Sequence, residues 1–380
     1  MEREEIDPNT QDTKYGRTLL QWAVERGHQG VVKLLLERRD INPNTPDSEN
    51  GQTPLRCAAQ QGYEGIVRLL LEREDINPNT PDTKSGQTPL VAAAIGGLEG
   101  VVGLLLKRKD LNPNTADTVY GQTPLRCAAH HGYEGIVKVL LEREDTNPNI
   151  QGLKCGRTPL LAAVIGGHEV VVGLRLKRKD LNPNTPDIEY GQTPLRCAAQ
   201  QGYEEIVRLL LEREDTNPNT LDTKSGQTAL LAATARGHEG VVGLLLQSKD
   251  LNPNTADTVY GQTPLRYAAQ QGYDEIVSLL LEREDINPNT PDAKSGQTPL
   301  LAAAAGGHEG AVGLLLKRKD LNPNTPDTKY GGIPLLWATE RGYEGIVKLL
   351  LERGDINPNL QATHMAERHS WRPLRVDMKE

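Results

Sequence analysis

The feature that most constrains this 380-residue chain is a glycine that recurs every 35 residues and opens a nearly identical segment each time. Ten repeats are opened in this way, by Gly16, Gly51, Gly86, Gly121, Gly156, Gly191, Gly226, Gly261, Gly296 and Gly331. A repeat this short cannot bury its apolar side alone, so neighbouring repeats must stack on one another. The period therefore predicts one array of thin layers rather than two or three globular domains. Positions in a repeat are counted below from its opening glycine, which is position 0.

Each repeat divides into two short helices and a turn-rich segment, as the second repeat shows. Thr53 supplies a helix-capping hydroxyl, and Pro54 follows at the first helical position, where its missing N–H costs nothing. Gly62 ends this first helix, and we expect a second helix over residues 63–74 with a broad apolar face. The remaining stretch, DINPNTPDTKSG, is rich in residues that favour turns. It predicts an extended loop, or finger, that projects sideways.

The succession G-x-T-P-L, A-A-x-x-G-[HY], a triple-leucine helix and a D-x-N turn resembles the ankyrin repeat over roughly residues 1–360. The resemblance implies an all-α ankyrin-repeat solenoid of about ten 35-residue helix-turn-helix-finger units. It also implies a concave surface that binds other proteins. The D-x-N-P-N-T-x-D-T turn is similar to that of ankyrin arrays in fungal proteins, which often follow nucleotide-binding NACHT modules in immune-receptor-like chains.

The chain departs from the ankyrin pattern in three places. The family's histidine after T-P-L is absent, so its buried hydrogen bond must be replaced. Its position, position 5, holds Arg56, Arg126, Arg196 and Arg266 in alternate repeats and Val91, Leu161, Leu231 and Leu301 in the others. The finger is longer than a family repeat of about 33 residues allows, and no glycine ends the second helix after the leucines.

The pattern also predicts the domain boundaries. Residues 1–15 align with the end of a repeat and should form a finger only, and residues 16–360 form the ankyrin array. Residues 361–380 are a C-terminal tail, which is either disordered or adds a helical turn at 362–368. Because the chain begins in mid-repeat, we expect it to be a fragment or a late start in a longer reading frame.

Repeats of two types, A and B, alternate, so the true period is 70 residues. Type A carries RCAAQQGYEGIVRLLLERED and type B carries LLAAAAGGHEGVVGLLLKRKD, or close variants of each. The alternation aligns Glu72 and Glu74 with Lys107 and Lys109, and we expect these opposite charges to set the stacking register. Type B also has a glycine inside the second helix, which either permits close helix approach or is a tolerated duplication. These glycines are Gly103, Gly173, Gly243 and Gly313.

Most residues that could carry catalysis or bind a metal are explained by the repeat. His28, His168, His238 and His308 share position 12, at the start of the second helix, where type A has tyrosine. No second histidine completes an H-E-x-x-H zinc helix, and the D-x-N-P-N turn lacks the glycine and glutamate of a calcium loop. No nucleophile, base and orienting group occur together at one place. We therefore expect no enzyme activity, no cofactor and no metal site.

Composition argues against other classes of partner. Lys and Arg number 43 against 51 Asp and Glu, which gives a net charge of −8 with both signs interleaved. The sequence has neither a basic footprint for nucleic acid nor an apolar run that spans a membrane, so we expect neither partner. Four cysteines without a C-x-x-C pair favour a reducing compartment, cytoplasmic or nuclear. We expect a monomer.

Differences among the copies predict where a protein partner binds. Repeats of one type differ mainly at positions 8 to 10 of the first helix and at the finger tip, zones that line the concave face in ankyrin repeats together with position 1. Tyrosines at the tip would supply amphipathic anchors, or else only pack on the neighbouring finger. The predicted partner-binding residues are Gln60, Gln61, Ile95, Tyr120, His130, His131, Arg157, Ile165, Tyr190, Gln200, Gln201, Arg236, Tyr260, Gln270, Gln271 and Tyr330.

These features together predict a non-catalytic protein-protein interaction scaffold that binds its partner on the concave face. The alternative is the recognition array of a larger fungal NACHT-type signalling protein of which this chain is a fragment.

Overall fold

The computed structural model describes residues 7–357, and this part of the chain contains 20 α-helices and no strand. The first helices of the ten repeats are α1 (Leu19–Glu25), α3 (Pro54–Gln61), α5 (Pro89–Ile95), α7 (Pro124–His131), α9 (Pro159–Ile165), α11 (Pro194–Gln201), α13 (Ala229–Arg236), α15 (Pro264–Gln271), α17 (Pro299–Gly306) and α19 (Pro334–Glu340). The second helices are α2 (Gln29–Leu36), α4 (Glu64–Leu71), α6 (Glu99–Leu106), α8 (Glu134–Glu142), α10 (Glu169–Leu176), α12 (Glu204–Leu211), α14 (Glu239–Leu246), α16 (Asp274–Leu281), α18 (Glu309–Leu316) and α20 (Glu344–Leu351). The predicted all-α array of about ten helix pairs is confirmed, whereas the tail predicted at 361–380 lies outside the described residues.

The described residues form two compact units. One contains the residues up to Ala198 together with Glu205–Thr216, and the other contains Ala199–Glu204 together with the residues from Asn217 onward. In the first unit, first helices pack side by side in the order α1, α3, α5, α7, α9, and second helices in the order α2, α4, α6, α8, α10. In the second unit, α13, α15, α17 and α19 pack in the same way, as do α14, α16 and α18 with α20. Each helix pair thus buries its apolar side against the next pair, as the period requires.

The helix boundaries follow from the predicted capping residues. The Thr53 hydroxyl accepts a hydrogen bond from the backbone N–H of Arg56, at 3.2 Å, and Pro54 opens α3. Gly62 ends α3 with φ +76°, and a Cβ at this position would lie 3.0 Å from Cδ2 of Leu98 in the next repeat. Glycine is therefore required there both for its left-handed backbone and for the close approach. The second helix ends at Leu71, three residues earlier than the sequence predicts.

The core is a row of small and branched apolar side chains in each layer. In the second repeat, Leu55, Ala58 and Ala59 from the first helix and Ile66 and Val67 from the second are at most 2% exposed. Burial of these side chains is the main favourable term in stacking, at about 25 cal/mol per Å² of apolar surface. The two alanines leave little space between adjacent first helices, which explains why the sequence can dispense with phenylalanine.

In most repeats, an arginine of the following repeat donates to the last carbonyl groups of the second helix, where the glycine is missing, whereas after α12 this position holds Ser248. Arg73 Nη1 donates to the carbonyl oxygens of Leu36 and Arg38 at 3.3 and 3.0 Å, and Nη2 donates to that of Ile41 at 3.3 Å. Its Nε and Nη2 also donate to the Asp75 carboxylate at 2.8 and 2.6 Å, which fixes the guanidinium. A cation is favourable at a helix C-terminus. The same three carbonyl bonds are made by Arg108, Arg143, Arg213, Arg318 and Arg353.

Asparagine side chains make a second set of bonds between repeats. Asn44 Nδ2 donates to the Asp75 carbonyl at 2.7 Å, and Asn44 Oδ1 accepts the N–H of Asn77 at 2.8 Å. Within its own repeat, Asn42 Oδ1 accepts the N–H of Asn44 at 3.0 Å. The D-x-N-P-N motif is therefore a connector whose oxygen atoms are already engaged. Bonds equivalent to those of Asn44 are made by Asn79, Asn114, Asn149, Asn219, Asn254, Asn289 and Asn324.

These contacts, rather than ion pairs between the aligned glutamates and lysines, join successive repeats in the structure. In the described part of the chain, no ion pair joins Glu72 or Glu74 to Lys107 or Lys109, and the charged group that crosses this interface is Arg108. Arg108 is present at position 22 of a B repeat as Arg73 is in an A repeat, so the register does not depend on the repeat type.

The glycines inside the type B second helices face open space. A Cβ built on Gly103 or Gly243 meets nothing within 4 Å, and at Gly173 and Gly313 the nearest atom is a leucine methyl at 3.8 or 3.9 Å. Close helix approach is thus not the reason for these glycines, and the tolerated-duplication alternative holds.

One charged side chain occupies a core position. Arg175 stands at the middle position of the leucine triplet of α10, is 0% exposed, and donates through Nη2 to the Pro148 carbonyl at 2.6 Å. Nε and Nη1 have no hydrogen-bond partner. Burial lowers the pKa of this guanidinium to about 9. The same position is leucine in α4 and α6, Leu70 and Leu105, so this repeat carries an electrostatic cost that its copies avoid.

Replacing Gly103 and Gly243 with alanine should stabilise the array, because alanine is favoured over glycine inside a helix by about 1 kcal/mol per site and has space at both sites. The double variant is expected to unfold at higher temperature and urea concentration than the wild type. The matched control is Gly62→Ala, which forces alanine into a left-handed backbone against Leu98 and should destabilise. Loss of stability in the double variant would show that the open space is needed.

Acidification should weaken the arginine connections. Hydrogen bonds from Arg73, Arg108 and Arg143 hold the pKa of Asp75, Asp110 and Asp145, respectively, below the ordinary value. A lowered folded-state pKa stabilises the protein above the unfolded value of about 3.9, and this contribution is lost as the pH falls through the folded-state pKa.

The thermal midpoint of the wild type should therefore fall steeply below about pH 4. A variant with Asp75, Asp110 and Asp145 changed to asparagine should start from a lower midpoint at pH 7 and fall less steeply. Parallel profiles for the two proteins would show that these carboxylates do not contribute to the acid sensitivity.

Candidate partner-binding surface

Position 5 of the first helix is linked to the finger by a buried ion pair in the type A repeats opened by Gly51 and Gly261. Arg56 Nη2 lies 2.8 Å from Asp82 Oδ2, and the two side chains are 4% and 1% exposed. Arg56 Nη2 also donates to Gln87 Oε1 at 2.9 Å, and Nη1 donates to Gln60 Oε1. Gln52 Nε2 donates to Gln60 at 3.4 Å. The pair therefore joins position 1, position 9, the finger and the next repeat into one network, and it replaces the family's histidine.

The same network recurs in the repeat opened by Gly261. Arg266 Nη2 lies 2.7 Å from Asp292 Oδ2 and donates to Gln297 Oε1 at 3.1 Å. Gln270 accepts bonds from Arg266 Nη1 and, at 3.4 Å, from Gln262 Nε2. Burial lowers the pKa of the Arg266 guanidinium, which the charge of Asp292 partly offsets.

The aspartate of this pair also shapes the finger tip. Asp82 Oδ1 accepts the backbone N–H and the hydroxyl of Ser85, at 2.6 and 2.9 Å. Burial alone would raise the pKa of Asp82, but the bonds from Ser85 and the charge of Arg56 leave it below the ordinary value. The carboxylate is therefore held ionised, and the finger tip is fixed relative to the first helix.

We define the helix–finger strip as the side chains at positions 1, 9 and 10 and at the finger-tip position 34. The predicted residues of this strip are accessible in different degrees. Exposed side chains are Gln60, Gln61, His130, His131, Gln201, Arg236, Gln271, Tyr120 and Tyr260. Half-buried ones are Ile95, Arg157, Ile165, Tyr190, Gln200, Gln270 and Tyr330. None of the predicted residues is fully buried.

The four finger-tip tyrosines are not equivalent. Tyr120 and Tyr260 are 51% and 46% exposed, and each ring is covered on one side by a lysine of the next finger, Lys154 at 4.4 Å and Lys294 at 4.9 Å from the ring centroid. Tyr330 packs edge-on against Trp337, with centroids 5.9 Å apart. A hydrogen bond with Glu189 raises the pKa of the Tyr190 hydroxyl. Tyr120 and Tyr260 are thus the anchors most open to a partner.

The histidines at position 12 have a structural role. His168, His238 and His308 bond through Nε2 to the carbonyls of His130, Gln200 and Gln270 in the preceding repeat, at 2.9, 3.1 and 2.9 Å. In residues 7–357, no three His, Cys, Asp or Glu side chains are grouped so that they could hold a metal ion.

Sequence reasoning missed that the repeat opened by Gly121 breaks the ion-pair network. Gly152 stands where Asp82 and Asp292 stand in the sister repeats, so Arg126 has no carboxylate from its own finger. Its Nη2 contacts the half-buried thiol of Cys155 at 3.5 Å. The signal was present in the sequence, because position 31 can be compared among copies as readily as positions 8 to 10.

Comparison with known families agrees with this architecture. The family model for ankyrin repeats, in blocks of three copies, matches residues 2–82, 74–152, 144–222, 214–292 and 284–362. The chain belongs to the ankyrin-repeat family. Ankyrin-repeat domains are typical protein-protein interaction modules.

One solved structure with a similar fold is that of the ankyrin-repeat domain of Bcl-3, a unique member of the IkappaB protein family. It is 26% identical, covers 60% of this chain and 98% of the Bcl-3 chain, and superposes with a TM-score of 0.51. No curated protein sequence matches the chain. Within the described part of this ankyrin array, no helix has the length and apolar character needed to cross a membrane.

Replacing Asp82 in the buried Arg56–Asp82 pair should lower the free energy of unfolding more than replacing Arg56 does. Asp82→Asn leaves the Arg56 charge buried without a carboxylate and is expected to cost about 3 kcal/mol. Arg56→Leu installs the type B residue, and type B Asp117 keeps its finger-tip bonds to Val119 and Tyr120 without an arginine at position 5, so the loss should be less than half as large.

Urea unfolding of both ankyrin-array variants beside the wild type measures this difference. Equal losses for the two variants would contradict the asymmetry. Gln60→Ala serves as a control that removes one neutral acceptor from the network and leaves the ion pair in place.

Proposed function

We propose that this ankyrin array is a non-catalytic scaffold that binds a protein partner through the helix–finger strip, the surface that corresponds to the concave face of the family. The proposal rests on a difference between the constant and the variable positions of the repeat. Positions that stay constant, such as those of Asp75 and Asn44, are engaged in bonds between repeats. Among the positions that differ between copies of one type, positions 9 and 10, such as those of Gln60 and His130, are accessible on the strip. Position 8, which holds Ala94 and Thr234, is buried in the core instead.

The exposed tyrosines supply the energetic argument. Tyrosine is enriched at the residues that dominate protein interfaces, because it buries a large apolar area with few rotatable bonds and keeps a polar hydroxyl. About half of the surface of Tyr120 and Tyr260 is still open to solvent, and a lysine over one ring face limits the motion of each ring. A partner that covers the open half of each ring would gain apolar burial at little entropic cost.

The finer predictions from the sequence stay predictions. These are the cytoplasmic or nuclear location, the monomeric state, the lack of enzyme activity and the origin of the array in a fungal NACHT-type protein. No comparison names a NACHT protein, so the scaffold is the proposal favoured by the residues themselves.

Site-specific photo-cross-linking in cells tests the proposed surface. A benzophenone side chain placed at position 120 or 260 should cross-link the same partner protein, whereas one placed at Val170, which is 54% exposed on the second helix α10, should not. Cross-links of one partner from Val170 alone would place the binding surface on the second helices and overturn the proposal.

A binding measurement on the captured partner follows. Tyr120→Ala combined with Tyr260→Ala should weaken affinity at least about tenfold, since hot-spot residues contribute 2 kcal/mol or more each. The control Val170→Ala should leave affinity unchanged, and circular dichroism should show the same helicity for all three proteins.

A further inference from the structure

We propose that the repeat opened by Gly121 contains a carboxylate-binding site, in which Arg126 receives an aspartate or glutamate side chain of the partner protein. The proposal rests on the proposed function for the source of the carboxylate, whereas the site itself is argued from the array alone. Its basis is that one copy of a recurrent internal ion pair has kept the buried cation and lost the anion.

Arg126 is buried without a charged partner. It is 8% exposed, its Nε has no hydrogen-bond partner, and its Nη2 reaches only the Cys155 sulfur at 3.5 Å. Within residues 7–357, no carboxylate lies within ion-pair distance of its guanidinium, in contrast to Arg56 and Arg266. A guanidinium in this environment has lost hydration and gained no anion, so it favours any carboxylate that can reach it.

The finger around Gly152 keeps the shape that holds an aspartate in the sister repeats. The N–H of Gly152 donates to the Arg157 carbonyl at 3.1 Å, as that of Asp82 donates to Gln87 at 3.0 Å. A Cβ built on Gly152 would lie 3.3 Å from Arg126 Nε, so the missing side chain would start beside the guanidinium. The backbone of the finger is therefore retained, the carboxylate is absent, and the Arg126 guanidinium lies against the space that the missing side chain would occupy.

Two side chains around this position differ from those of the second repeat, and one of them is a cation. His130 stands where Gln60 stands in the second repeat, and Arg157 stands where Gln87 stands. The pKa of His130 is lowered by burial and then by the nearby positive charges of His131, Arg126, His168 and Arg157.

Two carboxylates lie nearby, and neither forms an ion pair with Arg126. Asp117, on the preceding finger, accepts the N–H groups of Val119 and Tyr120 in its own turn. Asp187, on the following finger, is 4.0 Å from Arg157 Nε. Within residues 7–357, Arg126 is thus the arginine of this cluster that has no carboxylate within ion-pair distance, whereas Arg157 has Asp187.

The sister repeats indicate which ligand suits Arg126. The neighbouring surface indicates that a partner protein supplies it. Arg56 and Arg266 pair with an aspartate carboxylate at 2.8 and 2.7 Å, so the same guanidinium geometry suits a carboxylate. Cys155 and Arg157, on the finger beside Arg126, are half-buried and give the site an accessible edge. Lys154, on the same finger, covers the exposed ring of Tyr120, which places the site next to a proposed anchor of the partner. The partner segment that suits both features has an acidic side chain next to an apolar contact residue.

The test compares three proteins that differ only in the carboxylate of the pair. They are the wild type, in which Arg126 has no carboxylate, Gly152→Asp with the pair restored, and Asp82→Gly, in which Arg56 loses its carboxylate as well. Thermal midpoints are measured in sodium acetate, in N-acetylglutamate amide and in sodium chloride at equal ionic strength. The small carboxylates act without any partner protein, so this result does not depend on the cross-linking outcome.

The wild-type midpoint should rise in acetate or the glutamate derivative by at least about 1 °C relative to chloride, through mass action on the folded state. Gly152→Asp should be more stable in chloride and show no acetate effect, and Asp82→Gly should show a larger effect than the wild type. An equal response of all three proteins would overturn the site. Success of the cross-linking with failure here would remove the carboxylate site and leave the proposed function intact.

A local readout separates binding at Arg126 from a general salt effect. The Nε–H signal of Arg126, assigned by its absence in Arg126→Leu, should shift with acetate in the wild type and stay constant in Gly152→Asp. A constant signal in the wild type would contradict the proposal. Once the partner is cross-linked, replacing its acidic residue nearest position 120 with the amide should weaken binding to the wild-type array at least about fivefold and to Gly152→Asp much less.

Discussion

The repeat depends on one hydrogen-bonding constraint, namely that the last carbonyl groups of every second helix need donors. Ankyrin helices that end in glycine can meet this need within the repeat, but here no glycine follows the leucines. Arg73 of the next repeat supplies the donors instead, and Asp75 holds its guanidinium in place. Because the donor and the acceptors belong to different repeats, the last carbonyl groups of a second helix gain their donors only when the next repeat stacks on it.

Much of this architecture could be predicted from the sequence. The period, the Thr53–Pro54 capping signal and Gly62 predict both helices and their turn, because each rests on local backbone chemistry. The end of α4 at Leu71 was predicted three residues too late, since the residues that determine it lie in the next repeat. Charge alternation was a plausible basis for the register, but glutamate and lysine at these exposed positions gain little from pairing, whereas Arg108 gains three carbonyl acceptors.

The candidate surface was predicted less completely, and the reason is physical. Positions 9 and 10 vary among copies and are accessible, so comparison of copies identifies them. It does not distinguish Tyr120 from Tyr330, because the difference arises from Trp337, a side chain 7 residues further along that fills the space beside only one of the rings. Packing between different elements determines exposure here, and a one-dimensional pattern contains no measure of it.

In a repetitive chain each repeat can be compared with its copies, so a residue that departs from the pattern is easily recognised. The more such a residue lowers the stability of the fold, the more it requires an explanation. Gly103 in an open helix costs little and requires no compensation. Arg175 in a leucine layer costs more, yet its Nη2 is tied to the Pro148 carbonyl and no solvent reaches it, so no ligand could repay the cost. Arg126 differs from both, because its sister repeats show what the missing group is and its finger leaves an accessible edge through Cys155. Among the three exceptions, Arg126 is therefore the one whose electrostatic cost a carboxylate of a binding partner can offset.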